Sequence, residues 1–396
     1  MGEREWVVQG FQGSAVASGL KKKGGPDLGL IYSEKETSAA GVFTTNRVKA
    51  APVLLSAEHL RTGTPRAIIA NSGNANACTG QQGLRNARQS AQLAAKELGI
   101  RPEDVLVAST GVIGSPLQME AIVQAVPSLV KSLSPQGIPR VVEAIMTTDS
   151  FPKMSLFDGE AGGRPFRILA IAKGAGMIMP DMATMLCFVM SDISIDARDL
   201  RRALVSSVQQ TFNRITVDGD TSTNDTVFAL ANGMAGNGPL SPGEHEEFRR
   251  GLSSVLSDLS SMIVRDGEGA TKLVRVVVKG AATPEDAEKA ARTVANSSLV
   301  KTAFYGADAN WGRIMGALGR AGIRMDEEMV SILVDGIRIV EKGLGVGEEA
   351  ERLAQEKMKG KEFSVQIELG QGIHDDFMLT CDLTHEYVSI NANYRT

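Results

Sequence analysis

Apolar residues along this chain follow two spacings. Short, mainly apolar runs, which are typical of buried strands, occur at 66–70, 105–108, 166–172, 185–190 and 273–279. Apolar residues three and four positions apart, typical of amphipathic helices, include the series Leu84, Ala87, Ala91, Ala94, Ala95 and Leu98. The two kinds of segment are mixed without a regular strand–helix alternation. The pattern therefore predicts an α+β fold rather than a doubly wound sheet.

Capping residues mark several helix boundaries. Ser241-Pro-Gly-Glu244 has the spacing of a capping box with proline at the first helical position, and Thr283-Pro-Glu-Asp286 repeats that arrangement. Asp196 is placed to cap a third helix, and Gly99 is placed to end the helix that contains Ala91. Pro127 is predicted to stop the helix before it, because an internal proline removes a backbone hydrogen bond.

Composition and charge narrow the class of protein. Among the 396 residues, 42 are Lys or Arg and 46 are Asp or Glu, and the net charge of −4 argues against nucleic-acid binding driven by positive charge. No apolar run approaches the roughly 20 residues of a membrane span. Residues 1–10 lack the apolar stretch of a signal peptide, so we expect a cytoplasmic protein. The three cysteines form no CxxC pair, and neither a disulfide framework nor a cysteine zinc site is predicted.

Familiar catalytic motifs are missing from the sequence. There is no GxxxxGK[ST] phosphate loop, no HExxH zinc motif and no GxSxG nucleophile elbow. None of the four histidines stands in a neighbourhood that suggests catalysis. An acyl-transfer enzyme built on this chain therefore needs another base.

The most unusual segment runs from Lys173 to Leu186, a loop rich in glycine and methionine between two apolar strands. One interpretation is a tight buried connection in which Thr184 is an ordinary residue. The other makes Thr184 a nucleophile, with its own α-amine as the base once the Ala183–Thr184 bond is cut. An α-amine has a pKa near 7.7–8.0, so a useful fraction is neutral at physiological pH. Local sequence alone leaves both interpretations open.

The chain resembles the ornithine acetyltransferase family, also called the arginine biosynthesis bifunctional proteins. The motifs that carry the resemblance are Gly41–Val48, Asn71–Asn76, Ser109–Gly114, Met146–Asp149, Lys173–Leu186, Asp218–Asp225, Asp266–Thr271, Ala307–Arg313 and Ile390–Thr396. They span nearly the whole chain, and their order and spacing are far more specific than any one of them. The resemblance favours Thr184 as the nucleophile.

This resemblance implies a processed enzyme. Members of the family cut themselves before the matching threonine, which would give an α chain of residues 1–183 and a β chain of residues 184–396. The two chains would form one intertwined catalytic unit and a heterotetramer of two α and two β chains. The implied architecture is α+β, with sheets packed between helices, as in the self-processing aminopeptidases.

The implied activity is that of a glutamate N-acetyltransferase in the cyclic pathway of arginine biosynthesis. The acetyl group of N-acetylornithine would pass to glutamate through an acetyl-Thr184 intermediate, releasing ornithine and N-acetylglutamate. Acetyl-CoA as a second donor, which would add amino-acid N-acetyltransferase activity, is left open. No cofactor and no metal are implied.

The resemblance also implies roles for individual residues. Thr110 and Gly111 match the oxyanion hole, and the cleavage site is Ala183–Thr184. The matching substrate-binding positions are Thr147, Lys173, Thr184, Glu268, Asn391 and Thr396. Lys173 suits a substrate carboxylate and Glu268 an ammonium group. Replacing Gly111 by alanine should matter little unless its φ is positive, because the backbone N–H survives.

Two other functions remain as alternatives. The first is an N-terminal-nucleophile amidohydrolase or aminopeptidase on the same fold. The second is a non-enzymatic or metal-dependent phosphate binder built on Gly174-Ala-Gly176 and the acidic residues between Asp218 and Asp225. We interpret that acidic segment as a structural turn instead, since Asp and Ser/Thr side chains readily bond to nearby backbone amides.

Overall fold

The computed structural model describes residues 5–22, 24–179 and 185–393. In these ranges the strands are β1 (Phe11–Val16), β2 (Leu28–Ser33), β3 (Ser38–Phe43), β4 (Ala67–Asn71), β5 (Val105–Ser109), β6 (Lys153–Ala161), β7 (Arg164–Lys173), β8 (Leu186–Ser191), β9 (Thr226–Ala231), β10 (Leu273–Ala281), β11 (Ser331–Val334), β12 (Ile337–Glu341), β13 (Leu344–Gly345), β14 (Glu362–Glu368) and β15 (His374–Cys381). The α-helices are α1 (Ala51–Thr62), α2 (Gly80–Leu98), α3 (Met119–Lys131), α4 (Ile138–Ile145), α5 (Ala197–Gln210), α6 (Pro242–Arg265), α7 (Pro284–Ala295), α8 (Ser298–Tyr305), α9 (Trp311–Gly319), α10 (Glu348–Met358) and α11 (His385–Asn393).

Two sheets face each other in the first part of the fold. The first sheet has the strand order β1-β2-β4-β5, and the second has the order β3-β9-β8-β7-β6. Helices α1, α2 and α3 cover the outer face of the first sheet. Helices α5 and α6 cover the outer face of the second. Helix α4 and apolar side chains from both inner faces fill the space between.

Alternation along β7 shows how one strand serves two cores. Ile168 and Ala170 pack against α5 and α6, whereas Leu169 and Ile171 point to the layer shared with the first sheet. Successive strand side chains point to opposite faces, so a strand buried on both sides reads as a continuous apolar run. This is why the run at 166–172 is recognisable from sequence.

A third sheet, with the strand order β13-β12-β11-β14-β10-β15, forms the second part of the fold. Its strands pack against α7, α9 and α10 around a core of aliphatic side chains. The predicted α+β fold, with sheets packed between helices, is confirmed. Within the described ranges, none of the helices combines the length and apolar character that crossing a membrane requires.

The capping predictions are confirmed. Ser241 and Glu244 form the reciprocal capping box of α6, and Thr283 and Asp196 cap α7 and α5. The prediction for Pro127 is wrong, because α3 continues through it to Lys131. Pro127 lies on the solvent face, so water can replace the lost backbone bond while the buried face of the helix stays packed.

The second sheet joins residues from both sides of segment 180–184. Strand β8 is antiparallel to β7, with Lys173 opposite Leu186, and is parallel to β9 on its other edge. Strand β9 then pairs with β3, which lies near the beginning of the chain. The loop that leaves β7 at Lys173 therefore returns to the same end of the same sheet.

Candidate active site

A cavity of about 180 Å³ lies at this end of the second sheet. This is below the roughly 300–1,000 Å³ of pockets for drug-sized molecules, so it favours a small ligand. Its described lining residues are Ala75, Thr110, Gly111, Ile113, Thr147, Thr148, Lys173, Gly176, Met177, Asp218, Asp220, Ser222, Asn224, Glu268, Tyr387 and Asn391. They come from both sides of segment 180–184.

Six of the residues predicted for the site meet in this cavity: Thr110, Gly111, Thr147, Lys173, Glu268 and Asn391. The other three, Ala183, Thr184 and Thr396, lie outside the described residues. The segments that carry the six are up to about 280 positions apart in the chain. Thr110 and Gly111 follow β5, Lys173 ends β7, and Thr147, which follows α4, accepts a hydrogen bond from Lys173.

Thr110 and Gly111 follow directly after β5. The Thr110 amide donates to the carbonyl oxygen of Asn71 at 3.0 Å. The buried Asn224 side chain donates to the carbonyl oxygen of Ser109 at 2.8 Å, so the turn is held from two directions. Gly111 has a φ of +128°, and a β-carbon there would lie 2.4 Å from the carbonyl carbon of Gly73. Only glycine fits this position.

Lys173 ends β7 with its side chain almost fully buried. Its ammonium donates to the hydroxyl oxygen of Thr147 at 2.8 Å and lies 3.8 Å from a carboxylate oxygen of Asp149. Burial lowers the pKa of Lys173 from its ordinary value; Asp149 opposes this effect and Lys153 adds to it. The cation therefore depends on nearby carboxylates for its charge.

Behind Lys173 lies a buried network of alternating charges. The Lys153 ammonium donates to Asp149 at 2.8 Å and to Asp266 at 2.5 Å, and none of its side chain is exposed. Burial alone would raise the pKa of the Asp149 carboxyl, but the Lys173 and Lys153 ammonium groups outweigh burial and hold that pKa well below its usual range. Two lysines and two aspartates balance in charge, which is the condition under which buried charges are tolerated.

On another side of the cavity, Glu268 accepts a hydrogen bond from the Asn391 amide at 2.9 Å. Its backbone amide donates to the carbonyl oxygen of Ala175 at 2.9 Å, which ties it to the loop after β7. A β-carbon on Gly176 would lie 2.4 Å from the Glu268 carboxylate, so the absence of a side chain at 176 lets the carboxylate reach its position.

Helix α11 brings the C-terminal segment to the cavity. Thr384, just before it, donates to the carbonyl oxygen of Gly269 at 2.7 Å. The Tyr387 hydroxyl donates to the carboxylate of Asp218 at 3.4 Å. Because the helix buries none of its described residues fully, these polar contacts and the Asn391–Glu268 bond place it.

The acidic segment 218–225 is a turn, in agreement with its interpretation from sequence. The Asp218 carboxylate accepts from the backbone amides of Met177 and Ile178 at 2.6 and 2.9 Å. Burial raises the pKa of Asp218. Among the described residues, no three His, Cys, Asp or Glu side chains converge in a way that could hold a metal ion. Asp218 instead fixes the loop that follows β7.

Asp225 lies beside the point where the described chain resumes after segment 180–184. One carboxylate oxygen accepts from the Met185 amide at 2.9 Å, and the other is buried without a hydrogen-bond partner among the described residues. Burial raises the pKa of Asp225 well above its ordinary value. Buried polar atoms are normally hydrogen-bonded in folded proteins. This oxygen belongs to the residue that bonds to Met185, directly after segment 180–184.

Sequence reasoning missed several residues that shape the site. Asp149 stands in one of the recognised motifs but carries no individual signal, and Lys153 looks like an ordinary residue at the start of a strand. Gly176 stands out in the sequence only as part of a glycine-rich loop. Tyr387 has no local pattern to mark it, since its partner Asp218 lies elsewhere in the chain. Asp225 belongs to the acidic segment recognised in the sequence, but nothing there predicts its bond to the Met185 amide.

The chain is similar in sequence to proteins that share one name. A model of the ArgJ family matches residues 12–396. The arginine biosynthesis bifunctional protein ArgJ of Syntrophotalea carbinolica is 51% identical over 392 residues, covering 98% of this chain and 99% of its own length. The protein of the same name from Geobacter sulfurreducens is 50% identical over 391 residues, covering 98% of this chain and 100% of its own length.

A solved structure is also similar. The crystal structure of the arginine biosynthesis bifunctional protein argJ from Bacillus halodurans is 42% identical in sequence, with a TM-score of 0.50. The match covers 52% of this chain and 98% of the solved chain, so the solved chain has about half the length of this one.

Proposed function

The chain belongs to the ArgJ family, and we propose from this premise that it is a self-processing glutamate N-acetyltransferase of arginine biosynthesis. In this proposal the acetyl group of N-acetylornithine moves to glutamate through an ester on Thr184. Ornithine and N-acetylglutamate are the products. The relatives are named arginine biosynthesis bifunctional proteins, which supports both the pathway and the class of enzyme.

The observation that carries the proposal is the arrangement of charge around the cavity. A buried cation, Lys173, and the carboxylate of Glu268 line one small cavity together with Thr110 and Gly111. An amino acid needs an opposite charge for its carboxylate and another for its ammonium group. The turn at 110–111 supplies a hydroxyl and a backbone N–H for the negative charge that develops in acyl transfer.

Maturation comes first. The Thr184 hydroxyl attacks the carbonyl carbon of Ala183, the C–N bond between the two residues breaks, and the hydroxyl proton ends on the Thr184 nitrogen. Water then hydrolyses the ester, leaving residues 1–183 and 184–396 as two chains. The new α-amine of Thr184 is the base that a chain without a suitable histidine needs.

Transfer then proceeds in two halves. The Thr184 oxygen attacks the acetyl carbon of N-acetylornithine while the α-amine takes the hydroxyl proton and passes it to the departing amine of ornithine. The Thr110 hydroxyl and the Gly111 N–H stabilise the oxyanion. The amine of glutamate next attacks the acetyl ester, N-acetylglutamate leaves, and the Thr184 oxygen regains its proton.

Substrate recognition follows from charge. Lys173, next to Thr147, binds the α-carboxylate that both amino acids share. Glu268, with Asn391, attracts an ammonium group, and Thr396 belongs to the same substrate-binding set. Acetyl-CoA is the proposed second donor, because an acetyl-Thr184 ester can be formed from a thioester as well; no separate cofactor takes part.

The mixed second sheet supports a lasting association of the two chains. Strands β3, β6 and β7 would belong to the α chain and β8 and β9 to the β chain, so cleavage would leave backbone ladders across the cut. The half-length solved chain of the Bacillus halodurans relative is in keeping with a protein that exists as two pieces. We propose a heterotetramer of two α and two β chains.

Intact-mass analysis of the purified protein tests this function, followed by incubation with N-acetylornithine and glutamate. We expect the wild type to consist of two chains, cut between Ala183 and Thr184, and to form ornithine and N-acetylglutamate in equal amounts. Thr184→Ala should stay a single inactive chain. Thr184→Ser, which keeps a hydroxyl, is the control. Release of acetate without N-acetylglutamate would favour an amidohydrolase. Full activity of an uncut chain would contradict the mechanism in which Thr184 acts as an N-terminal nucleophile.

A further inference from the structure

The two carboxylate oxygens of Asp149 serve different partners. Oδ1 accepts from the Lys153 ammonium at 2.8 Å and from the Gly174 amide at 2.6 Å. Oδ2 accepts from the Thr147 amide at 2.9 Å and lies 3.8 Å from the Lys173 ammonium. At 3.8 Å, the Lys173 ammonium and Oδ2 of Asp149 attract each other by charge, but they are too far apart for a hydrogen bond.

This geometry leaves Lys173 both paired and available. An ammonium group has three N–H donors, and the Thr147 hydroxyl oxygen accepts one of them at 2.8 Å. Asp149 balances the charge of Lys173 from a distance at which it takes none of the remaining donors. Among the described residues no other acceptor takes these donors, and because Lys173 lines the cavity they are placed to meet a ligand.

Lys153 explains why Asp149 stays at that distance. Its ammonium is completely buried and bridges Asp149 to Asp266, so it holds Oδ1 on the side away from Lys173. Without Lys153, Asp149 would have a single ammonium partner. The two groups would then close into a tight ion pair that uses up the donors of Lys173.

We propose that Asp149, held in place by Lys153, is a positioning residue that keeps Lys173 a charged ammonium while leaving its N–H donors to the carboxylate of an amino-acid ligand. The part about the ligand rests on the proposed function. The part about the charge of Lys173 does not, and it can be measured in the protein without substrates.

The charged groups around Lys173 set the expected sign. Burial lowers the pKa of Lys173 and so does Lys153, while Asp149, Glu268 and Asp225 raise it. Lys21 also lies close enough for its own pKa to be lowered by burial and by Lys173. Removing the Asp149 carboxylate should therefore lower the pKa of Lys173 further, and removing the Lys153 charge should raise it.

Labelling of Lys173 in the full-length protein tests the charge directly. Reductive methylation with isotopic formaldehyde, read by peptide mass across about pH 6 to 10, reports the neutral amine. In Asp149→Asn, whose amide keeps an oxygen acceptor, labelling of Lys173 should begin at least about one pH unit lower than in the wild type. In Lys153→Met it should begin at higher pH, and these opposite shifts would not arise from loosened packing alone.

A matched control is Asp104→Asn, which removes another buried carboxylate. Asp104 is paired with Arg101 at 2.8 Å, and it is not among the charged groups that shift the pKa of Lys173. Its labelling profile for Lys173 should equal that of the wild type. Either Asp149→Asn or Lys153→Met suffices on its own, should the other fail to fold. An unchanged labelling profile in a folded variant would overturn the proposal.

Kinetics test the second half of the proposal. In Asp149→Asn, the KM of both amino-acid substrates should rise about tenfold per pH unit at pH values where Lys173 is neutral in the variant but still charged in the wild type. The kcat should change less. In Lys153→Met the KM should rise as well, because the donors of Lys173 are taken. A wild type without transfer activity would refute the proposed function, and the labelling would still decide the charge of Lys173. A normal KM profile in variants with shifted labelling would overturn the role toward ligand.

Discussion

Gly176 and Glu268 are in direct contact across the cavity wall. A β-carbon at 176 would lie 2.4 Å from the Glu268 carboxylate carbon, and no positive φ at this position demands glycine. The constraint is therefore the space that the carboxylate occupies. Glu268 can hold its hydrogen bond to Asn391 only while residue 176 has no side chain.

Gly176→Ala should accordingly displace the Glu268 carboxylate, which is the mobile end of a flexible side chain. We expect a loss of stability of no more than about 1 kcal/mol and a KM for the amino-acid substrates raised about tenfold. Steady-state kinetics and thermal unfolding measure the two effects. In a Glu268→Ala background the same substitution should add little to KM, because the group it displaces is gone.

Gly111 is constrained differently. Its φ is +128°, and an added β-carbon would lie 2.4 Å from the backbone of Gly73, which leaves no room for a side chain. The condition set from sequence, that alanine is tolerated only without a positive φ, is thus not met. Gly111→Ala should distort the turn at Thr110 and abolish transfer.

The matched control is Gly114→Ala. Gly114 also has a positive φ, of +79°, but nothing lies within 4 Å of an added β-carbon. This variant should lose only the roughly 1 kcal/mol of backbone strain and keep most of its activity. Equal activity of the two alanine variants would contradict a close packing of Gly111 against Gly73.

Thr110 is predicted to act on the transition state. Thr110→Ala should lower kcat about 10²–10³-fold with little change in KM, since an oxyanion donor stabilises charge that is absent from the bound substrate. Thr110→Ser keeps the hydroxyl and should retain much of the rate. Normal turnover in the alanine variant would remove Thr110 from the oxyanion hole.

Asp225 predicts a pH dependence of stability. Burial raises its pKa in the folded protein above the value of about 3.9 in an unfolded chain. As pH rises through that interval, the unfolded chain releases the proton and the folded one keeps it, so the free energy of unfolding falls. Asp225→Asn lacks this titration, and its Tm relative to the wild type should increase as the pH rises above about 4.

Asp149→Asn should behave in the opposite way. Although burial alone would raise it, the two lysines hold the folded pKa of Asp149 below its unfolded value, so the charged carboxylate stabilises the fold above about pH 4. This contribution is lost as pH falls. The asparagine variant should therefore be less stable than the wild type at neutral pH, with a difference that shrinks in acid. The same pH trend in both variants would contradict the assigned charges.

How much is predictable from sequence depends on the range of the interaction. Caps such as Ser241 and Thr283 act over three residues, so their helices begin where the sequence predicts. Pro127 misleads because local sequence does not show that it faces solvent. The ArgJ family is identified from the order of many short motifs, and the comparisons confirm it.

The buried charges behind the cavity cannot be predicted from local sequence. Lys153 is buried because Asp266, 113 positions later, shares its charge, and nothing near either residue indicates the pairing. The burial of the Asp225 carboxylate and its bond to the Met185 amide likewise depend on how distant segments pack. Motifs locate the groups that line the cavity, whereas the residues that set their charge and spacing emerge only from the folded chain.

The covalent intermediate gives the most direct prediction for Thr184. Incubation with N-acetylornithine alone should release ornithine once per site and add one acetyl group to the β chain. The added mass should lie in the peptide that begins Thr184-Met-Leu-Cys187. Adding glutamate should remove it, and initial rates against both substrates should give the parallel lines of ping-pong kinetics.

Hydroxylamine identifies the bond. It cleaves an acetyl ester on the Thr184 oxygen, whereas an acetyl amide on the α-amine would resist it, so the two sites on the same residue can be told apart. Thr110→Ala should form the ester more slowly but to the same final extent, because the oxyanion hole affects the rate and not the number of nucleophiles. Intersecting kinetic lines without an acetylated β chain would instead mean direct transfer in a ternary complex. Thr184 would then only position the substrates, even if the chain is cut before it.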